Sequence, residues 1–445
     1  MKKKDYLLLL VFALVLILFA VFSKIVGFHD SFEYINVAKN LAGIKNVPIF
    51  STHPIFYPLI TSIFLKLWPS LTTIKIINVL WVFLIGLVLF LVSKDRKAFI
   101  LFAFSPLVWY TGIQTTPVLP AALIFLLAYF FYNNEYKYSK IISGLCLGLG
   151  VAFYTPMLLV AAIFVLVYFW NSKLSDVIKF SIAIAIGIIP ELVIDYVVFG
   201  NPFYSFIRYA GTNSLILLGI NPNIGNIQVI QHLEVLLVFI VISPLLLRLH
   251  RLEFNKYKKD IIFLAILFII FLVKAGMLKY FLIISPVLIL LLAKVLTDKE
   301  IKWHCLISIP IILLLTFGYF TYTYETNLQK DLSSINEKYN SQVIVAGNNE
   351  ANVLATFSWK NTPRIEWFED YNASLENKSV LRQYTFKFEP KNIQLNNILE
   401  FSAKFLDPNE TYGNNITLVS ANSNLTLQGF SKQECYKILC VYTKK

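Results

Sequence analysis

Apolar runs long enough to cross a bilayer alternate with short polar breaks over the first 324 residues, after which charged, Asn-rich sequence takes over. The runs lie near 6–26, 74–93, 98–112, 117–132, 141–153, 155–170, 180–199, 229–247, 261–275, 278–296 and 304–323. A helix of about 20 apolar residues spans the hydrocarbon core, so the pattern predicts a mostly α, polytopic membrane protein of about eleven transmembrane helices. The third, fifth and ninth runs are the short ones. The first is too long for the apolar part of a signal peptide, and no small-residue cleavage site follows it.

Between the first two runs, residues 27–73 form a long connection with a pattern of its own. DSFEYINVAKNLAG (30–43) puts Phe32, Ile35, Ala38 or Lys39, and Ala42 at helical spacing. HPIFYPLITSIFLKLW (53–68) reads as a second amphipathic helix whose entry is set by Pro54 and Pro58. Both are expected to lie in the membrane interface. At the other end of the chain, residues 325–445 are expected to form a small α/β domain. Strands are predicted at SQVIVAG (341–347), TPRIEWF (362–368), ITLVSA (416–421) and KILCVYTKK (437–445), with helices at NEANVLATFSW (349–359) and SKQEC (431–435).

Composition and charge sharpen this picture. The chain is 57% hydrophobic and 16% aromatic, with a mean hydropathy of +0.66, which excludes a soluble protein. A net charge of +13 would suit a nucleic-acid binder, but the tail from residue 325 carries 13 basic and 13 acidic residues, so the whole excess lies in the apolar part. Its basic breaks are KDRK (94–97), NNEYKYSK (133–140), NSKLSDVIK (171–179), RLHRLEFNKYKK (248–259) and TDKEIK (297–302). If Lys2, Lys3 and Lys4 are cytoplasmic, all of these alternate loops are cytoplasmic too, as the positive-inside rule requires. An odd number of spans then puts the tail outside, and residues 27–73 become the first outer loop.

The tail agrees with that orientation. N-x-S/T acceptors occur at Asn372, Asn377, Asn409, Asn415 and Asn424 and nowhere earlier, and such acceptors are used on extracytoplasmic surfaces. Cys146 and Cys305 fall in or beside apolar runs, as packing residues do. Cys435 and Cys440 are either a disulfide, which an outside location permits, or two free thiols.

On this topology the unusual ionisable residues gather at the outer face. His29, Asp30, Glu33 and His53 lie in the first outer loop, and Glu191 and Asp195 approach the outer end of the seventh run. Glu234 is near the outer start of the eighth, Lys274 and Lys279 flank the turn between the ninth and tenth, and Arg208 lies in a later outer loop. Charges in or against a bilayer are costly unless paired or hydrated, so their convergence marks a candidate functional site. Acids beside bases suit a reaction on an anionic, lipid-linked substrate. Long cations also snorkel to the interface, and that is the favoured reading of Lys39, Lys45 and Arg208. For Asp30, capping of the first loop helix with Glu33 as partner and a catalytic role are both open.

Four segments match one pattern in order and spacing. They are Asp30, Tyr34 and Ala38 at four-residue steps after the first span; His53-Pro54 with Tyr57-Pro58; DYVVFGNPFYS (195–205); and KYFLIISPVLILLLA (279–293). Together they resemble the GT-C superfamily of integral-membrane glycosyltransferases, in the branch of protein O-mannosyltransferases and lipid A aminoarabinose transferases. The chain departs from that branch at three points. Ser31 follows Asp30 where a second acid is common, so Glu33 is the next acid. Lys279 precedes Tyr280 where Arg is usual, and it can neutralise a phosphate but cannot bind it bidentately. GIQTTPVLP (112–120) lacks the acid that relatives often carry there.

The resemblance implies an inverting transfer of one sugar from a polyprenyl-phosphate, dolichyl-phosphate-like donor to an acceptor hydroxyl of a glycan, lipid or protein. It makes Asp30 the general base with Glu33 beside it. Lys279, Lys274, Tyr280 and Arg208 would then sit on the donor phosphate, and His29, Tyr34, His53 and Tyr57 on substrate. Oligosaccharyltransferases of the superfamily use Asp-x-Asp with a divalent ion; no Asp-x-Asp occurs here, so no metal and no cofactor is expected. No nucleic-acid partner is expected either. A transporter or flippase of lipid-linked sugars is the alternative, but such proteins place their sites at the midplane between paired repeats, and no repeat is evident here.

Overall fold

Each apolar run is matched by helix in the computed structural model, which describes residues 3–22, 29–44, 53–112, 114–207, 209–210, 228–274, 278–317, 322–339, 343–346, 355–356, 359, 364–367, 416–420 and 430–444. The helices are α1 (Lys3–Phe22), α2 (His29–Leu41), α3 (Phe56–Leu67), α4 (Leu71–Ser93), α5 (Arg96–Ala103), α6 (Pro106–Gly112), α7 (Val118–Tyr132) and α8 (Ser139–Phe153). They continue with α9 (Met157–Tyr168), α10 (Leu174–Phe199), α11 (Gln228–Leu246), α12 (Phe254–Lys274), α13 (Leu278–Val295), α14 (Asp298–Phe317) and α15 (Tyr322–Tyr339). Among the described residues, four helices are long and apolar enough to cross a membrane by length and composition: α1, α4, α10 and α13.

The third apolar run is broken into α5 and α6 rather than continuous. Pro106 opens α6 and has no N–H to return to the preceding turn. The Phe102 carbonyl that it leaves accepts the Ser105 N–H at 3.1 Å, and the Ala103 carbonyl accepts the indole N–H of Trp109 at 2.7 Å. That bond and the ring's edge contacts with Phe12 and Phe19 on α1 give Trp109 a packing role.

The α8/α10 crossing is built on small residues. A Cβ on Gly148 would stand 2.0 Å from the Ile184 carbonyl oxygen, and one on Gly187 would stand 2.3 Å from that of Leu145. Gly144 faces Ala183 and Phe180 one turn away, so a small residue recurs at four-residue steps on both helices and lets the backbones touch.

One end of the bundle is stapled by polar contacts. Arg96 pairs with Asp5 at 2.5 Å, and Lys97 with Asp298 at 3.1 Å. Arg248 reaches Glu300 at 2.8 Å and Arg251 the same carboxylate at 3.1 Å. Lys259 donates to the Tyr168 carbonyl at 2.8 Å. Apart from Tyr168, at the end of α9, these residues belong to the start of α1 and to the breaks 94–97, 248–259 and 297–302, so those three breaks share an end.

Beyond α14 the described residues form a five-stranded sheet of order β2-β1-β3-β5-β4, with β1 (Val343–Ala346), β2 (Arg364–Trp367), β3 (Ile416–Ser420), β4 (Phe430–Cys435) and β5 (Cys440–Lys444). β1 pairs in parallel with β2 and β3, whereas β5 pairs antiparallel with β3 and β4. The SKQEC helix expected from the sequence is thus the body of strand β4. Its pairing with β5 and the Cys435–Cys440 disulfide closing the hairpin fix it as strand. The expected tail boundary at residue 325 falls in the first turn of α15. This helix holds the hairpin: Asp331 accepts the N–H groups of Ile438 and Leu439 at 2.7 and 3.0 Å, and Lys338 and Tyr339 both reach Glu434. Within the expected 349–359 helix only residues 355, 356 and 359 are described, and the five N-x-S/T asparagines lie outside the described residues.

A second core joins this domain to the first loop. Phe32, Ile35, Ala38 and Ile44 meet Leu65, Ile74, Leu332, Ile335, Ala355, Val419, Leu439 and Val441. The apolar stripe of α2, expected to lie in the membrane interface, is covered by protein instead.

Candidate active site

Helix α2 presents two faces. At about 100° per residue, Tyr34 follows Asp30 on one side, Phe32, Ile35, Asn36 and Lys39 lie on the other, and Ala38 falls between them. Asp30 and His29 are the first two residues of the helix, where a carboxylate is favoured by the helix dipole. Their side chains lie outside the described ones, as do those of Lys274 and Glu234, and Arg208 and Lys45 lie outside the described residues altogether. Glu33, one turn on from Asp30, is half-buried.

Tyr34 is buried against the membrane body. Its ring centroid lies 5.1 Å from that of His53 and 5.7 Å, edge-on, from that of Tyr57. Tyr57 donates to the Asn78 side chain at 3.1 Å, and Asn78 donates to the Thr115 hydroxyl at 3.1 Å. Tyr209, just beyond the DYVVFGNPFYS segment, stands 6.1 Å from His53. Three of the four expected substrate residues therefore form one cluster with α4 and the 112–118 corner. Asn78 and Thr115, which complete it, do not stand out in the sequence, because a lone Asn in an apolar run and a TT pair in a loop carry no distinctive spacing.

The start of α3 is held from α10. Glu191, fully buried, accepts the backbone N–H of Ile55 at 2.8 Å and of Phe56 at 2.9 Å, two donors that a helix start leaves open. Pro58 has no N–H to satisfy. One turn further, Asp195 accepts the N–H and hydroxyl of Ser205 at 2.8 and 2.7 Å. Both carboxylates, grouped in the sequence with the candidate functional charges, are thus committed to positioning backbone. Gly200, with φ +72°, ends α10 so that the chain can turn back to Ser205.

Lys279 and Tyr280 open α13. The Lys279 ammonium lies 5.8 Å from the Tyr280 ring centre, and Tyr280 stacks on Tyr154 at 6.1 Å and on Phe271 at 5.7 Å. Phe153, the neighbour of Tyr154, contacts Phe56 at 4.7 Å and Trp81 at 6.0 Å. The Phe153-Tyr154 corner therefore bridges the α3 entry to the expected phosphate residues. Trp81 Nε1 and Thr155 Oγ1 are buried with no hydrogen-bond partner among the described residues, which adds polar capacity around this corner.

Lys39, expected to snorkel, is instead 1% exposed. It donates to the Ala355 carbonyl and lies 4.5 Å from the centre of the Trp359 ring. Burial pushes its pKa down to about 7.

No protein-family model and no curated protein sequence matches the chain. Its fold is that of ArnT, in keeping with the resemblance drawn from the four sequence segments. ArnT from Cupriavidus metallidurans bound to undecaprenyl phosphate matches with a TM-score of 0.65 and 10% identity, over 99% of this chain and 98% of that one. The apo state of the same protein matches with a TM-score of 0.66 and 9% identity over the same shares. Arabinofuranosyltransferase AftD from Mycobacteria has a TM-score of 0.43 and 11% identity over 78% of this chain and 29% of its own, a similarity too weak to bear on the fold.

Proposed function

We propose that this chain is a membrane glycosyltransferase that moves one sugar from a polyprenyl-phosphate donor to an acceptor hydroxyl. The observation that carries the reading is an ArnT-like fold over 99% of the chain, in which the segment opened by Asp30 packs on the His53 and Tyr57 segment through Tyr34. The solved relative holds undecaprenyl phosphate, which supports a lipid-phosphate donor for this chain.

In this mechanism the Asp30 carboxylate takes the proton of the acceptor hydroxyl, and the acceptor oxygen attacks the anomeric carbon. The bond from that carbon to the donor phosphate oxygen breaks, and its electron pair leaves with the lipid phosphate. Attack opposite the leaving group inverts the anomeric centre. Lys279, with Lys274 and Arg208, offsets the charge that grows on the phosphate, and Tyr280 orders Lys279 through its ring. His29, Tyr34, His53 and Tyr57 shape the acceptor side, and Glu33 adds to the field around Asp30. The reaction calls for no metal.

The topology that goes with it has α1, α4, the α5–α6 pair, α7 to α10 and α11 to α14 as about eleven crossings, the stapled end cytoplasmic and the sheet domain outside. The functional test is reconstitution with polyprenyl-phospho-sugars and a panel of glycan, lipid and peptide acceptors. Sugar transfer supports the reading; sugar-lipid crossing the bilayer without transfer would replace it with a flippase.

A further inference from the structure

We infer that Lys39 is a positioning residue through which the C-terminal sheet domain fixes the helix that carries Asp30; the inference rests on the transferase reading for its catalytic consequence. Asp30 and Lys39 are nine residues apart on α2, about two and a half turns, and so occupy positions on opposite sides of the helix. One side is seated in the membrane body through Tyr34, which belongs to the bundle core with Tyr57. The other is seated in the sheet domain: Phe32, Ile35 and Ala38 share the second core with Leu332, Ile335, Val419 and Val441.

Polar contacts make this second seat specific. The Lys39 ammonium donates to the Ala355 carbonyl and rests on the Trp359 ring, while Thr356 donates to the Asn36 side chain at 3.4 Å. An apolar side chain at 39 would bury as much surface, yet would leave the Ala355 carbonyl without this donor and the ring face without its cation. The contact partners are 316 to 320 residues away in sequence, so they report tertiary docking and not local helix formation. A helix held on both faces has its N-terminal residues fixed in two directions. Loss of one seat would leave α2, and with it the carboxylate at position 30, free to shift against the lysine at 279. A misplacement of about 1 Å can cost 10²-fold in rate.

The test uses the full chain in detergent or nanodiscs, with Lys39→Met, Trp359→Ala and Trp359→Phe. Hydrogen exchange of the α2 amides is expected to quicken at least tenfold in Lys39→Met and Trp359→Ala, to stay near parental in Trp359→Phe, and to leave α8 and α10 unchanged. In transfer assays the same two variants should lose at least tenfold in kcat with the donor KM within twofold, and Trp359→Phe should recover most of that loss. Unchanged α2 exchange overturns the seat. Faster exchange with parental kcat overturns its role in positioning. A parental protein without any transfer would sink the transferase reading, and the exchange arm would still decide whether the domain holds α2 through Lys39.

Discussion

The Glu191 carboxylate on α10 holds the backbone N–H of Ile55 at 2.8 Å, and its second oxygen holds that of Phe56 at 2.9 Å. A segment 136 residues away in sequence therefore sets where α3 begins, and with it where His53 and Tyr57 stand relative to Tyr34. Glu191→Ala removes both acceptors from buried donors, and roughly 3–5 kcal/mol of stability should go with them. Glu191→Gln keeps one acceptor oxygen and turns an N–H donor toward the other amide, so its loss should be smaller. Thermal unfolding in detergent ranks the two; equal and negligible effects would show that the carboxylate does not anchor α3.

The glycine seam makes a steric prediction. A Cβ at position 148 would meet the Ile184 carbonyl oxygen at 2.0 Å, so Gly148 tolerates no side chain unless α8 and α10 separate. Gly148→Leu should cost roughly 3 kcal/mol or more, at or beyond the upper end of overpacking. Gly200→Ala is strained by its φ of +72° but meets no neighbour within 4 Å, so it should cost less. Expression level and melting temperature would separate the two, and a Gly148→Leu protein of parental stability would refute the close crossing.

How much of this was legible in the sequence depended on distance along the chain. Helices α2 and α3 were readable from spacing alone, since Phe32, Ile35 and Ala38 mark one face and Pro54 and Pro58 one entry. What covers that face was not readable, because Leu332, Val419 and Val441 arrive from the far end of the chain. For the same reason Lys39 reads as a snorkelling cation and Glu191 as one of the outer-face candidate charges; each position is evident, and the partner is not. SKQEC, short and polar, has no apolar alternation to announce a strand, and its state is set by β5 and the disulfide. The break at Pro106 follows from one missing N–H inside an otherwise apolar run.

The sheet domain should respond to acid in a defined window. Hydrogen bonds from Lys338, then Tyr436 and Tyr339, hold the Glu434 pKa at about 2, below the 4.5 of an ordinary glutamate. An acid depressed on folding adds stability that is fully present above about 4.5 and is lost as pH falls through about 2. Protection of the β4 amides against exchange, corrected for intrinsic rates, should therefore fall over that range in the parent and be lower and flatter in Glu434→Gln. A Glu434→Gln profile that tracks the parent would remove Glu434 from the account.

The phosphate role separates from the base role by substrate. Lys279→Ala should weaken donor binding by about 10- to 100-fold, the worth of one hydrogen bond to a charged group, and leave acceptor binding within twofold. Titration with a polyprenyl phosphate and with the acceptor, each alone, measures both. Equal weakening of the two would make Lys279 a packing residue of the Tyr280 and Tyr154 stack.

Asp30→Asn is the most direct measurement of the central claim. Asparagine keeps the size of the side chain and its place in the first turn of α2 but cannot take a proton, so the variant should fold, bind polyprenyl phosphate within a few-fold of the parent, and transfer sugar at least about 100-fold more slowly. A folded Asp30→Asn protein that transfers sugar at the parental rate would contradict the account.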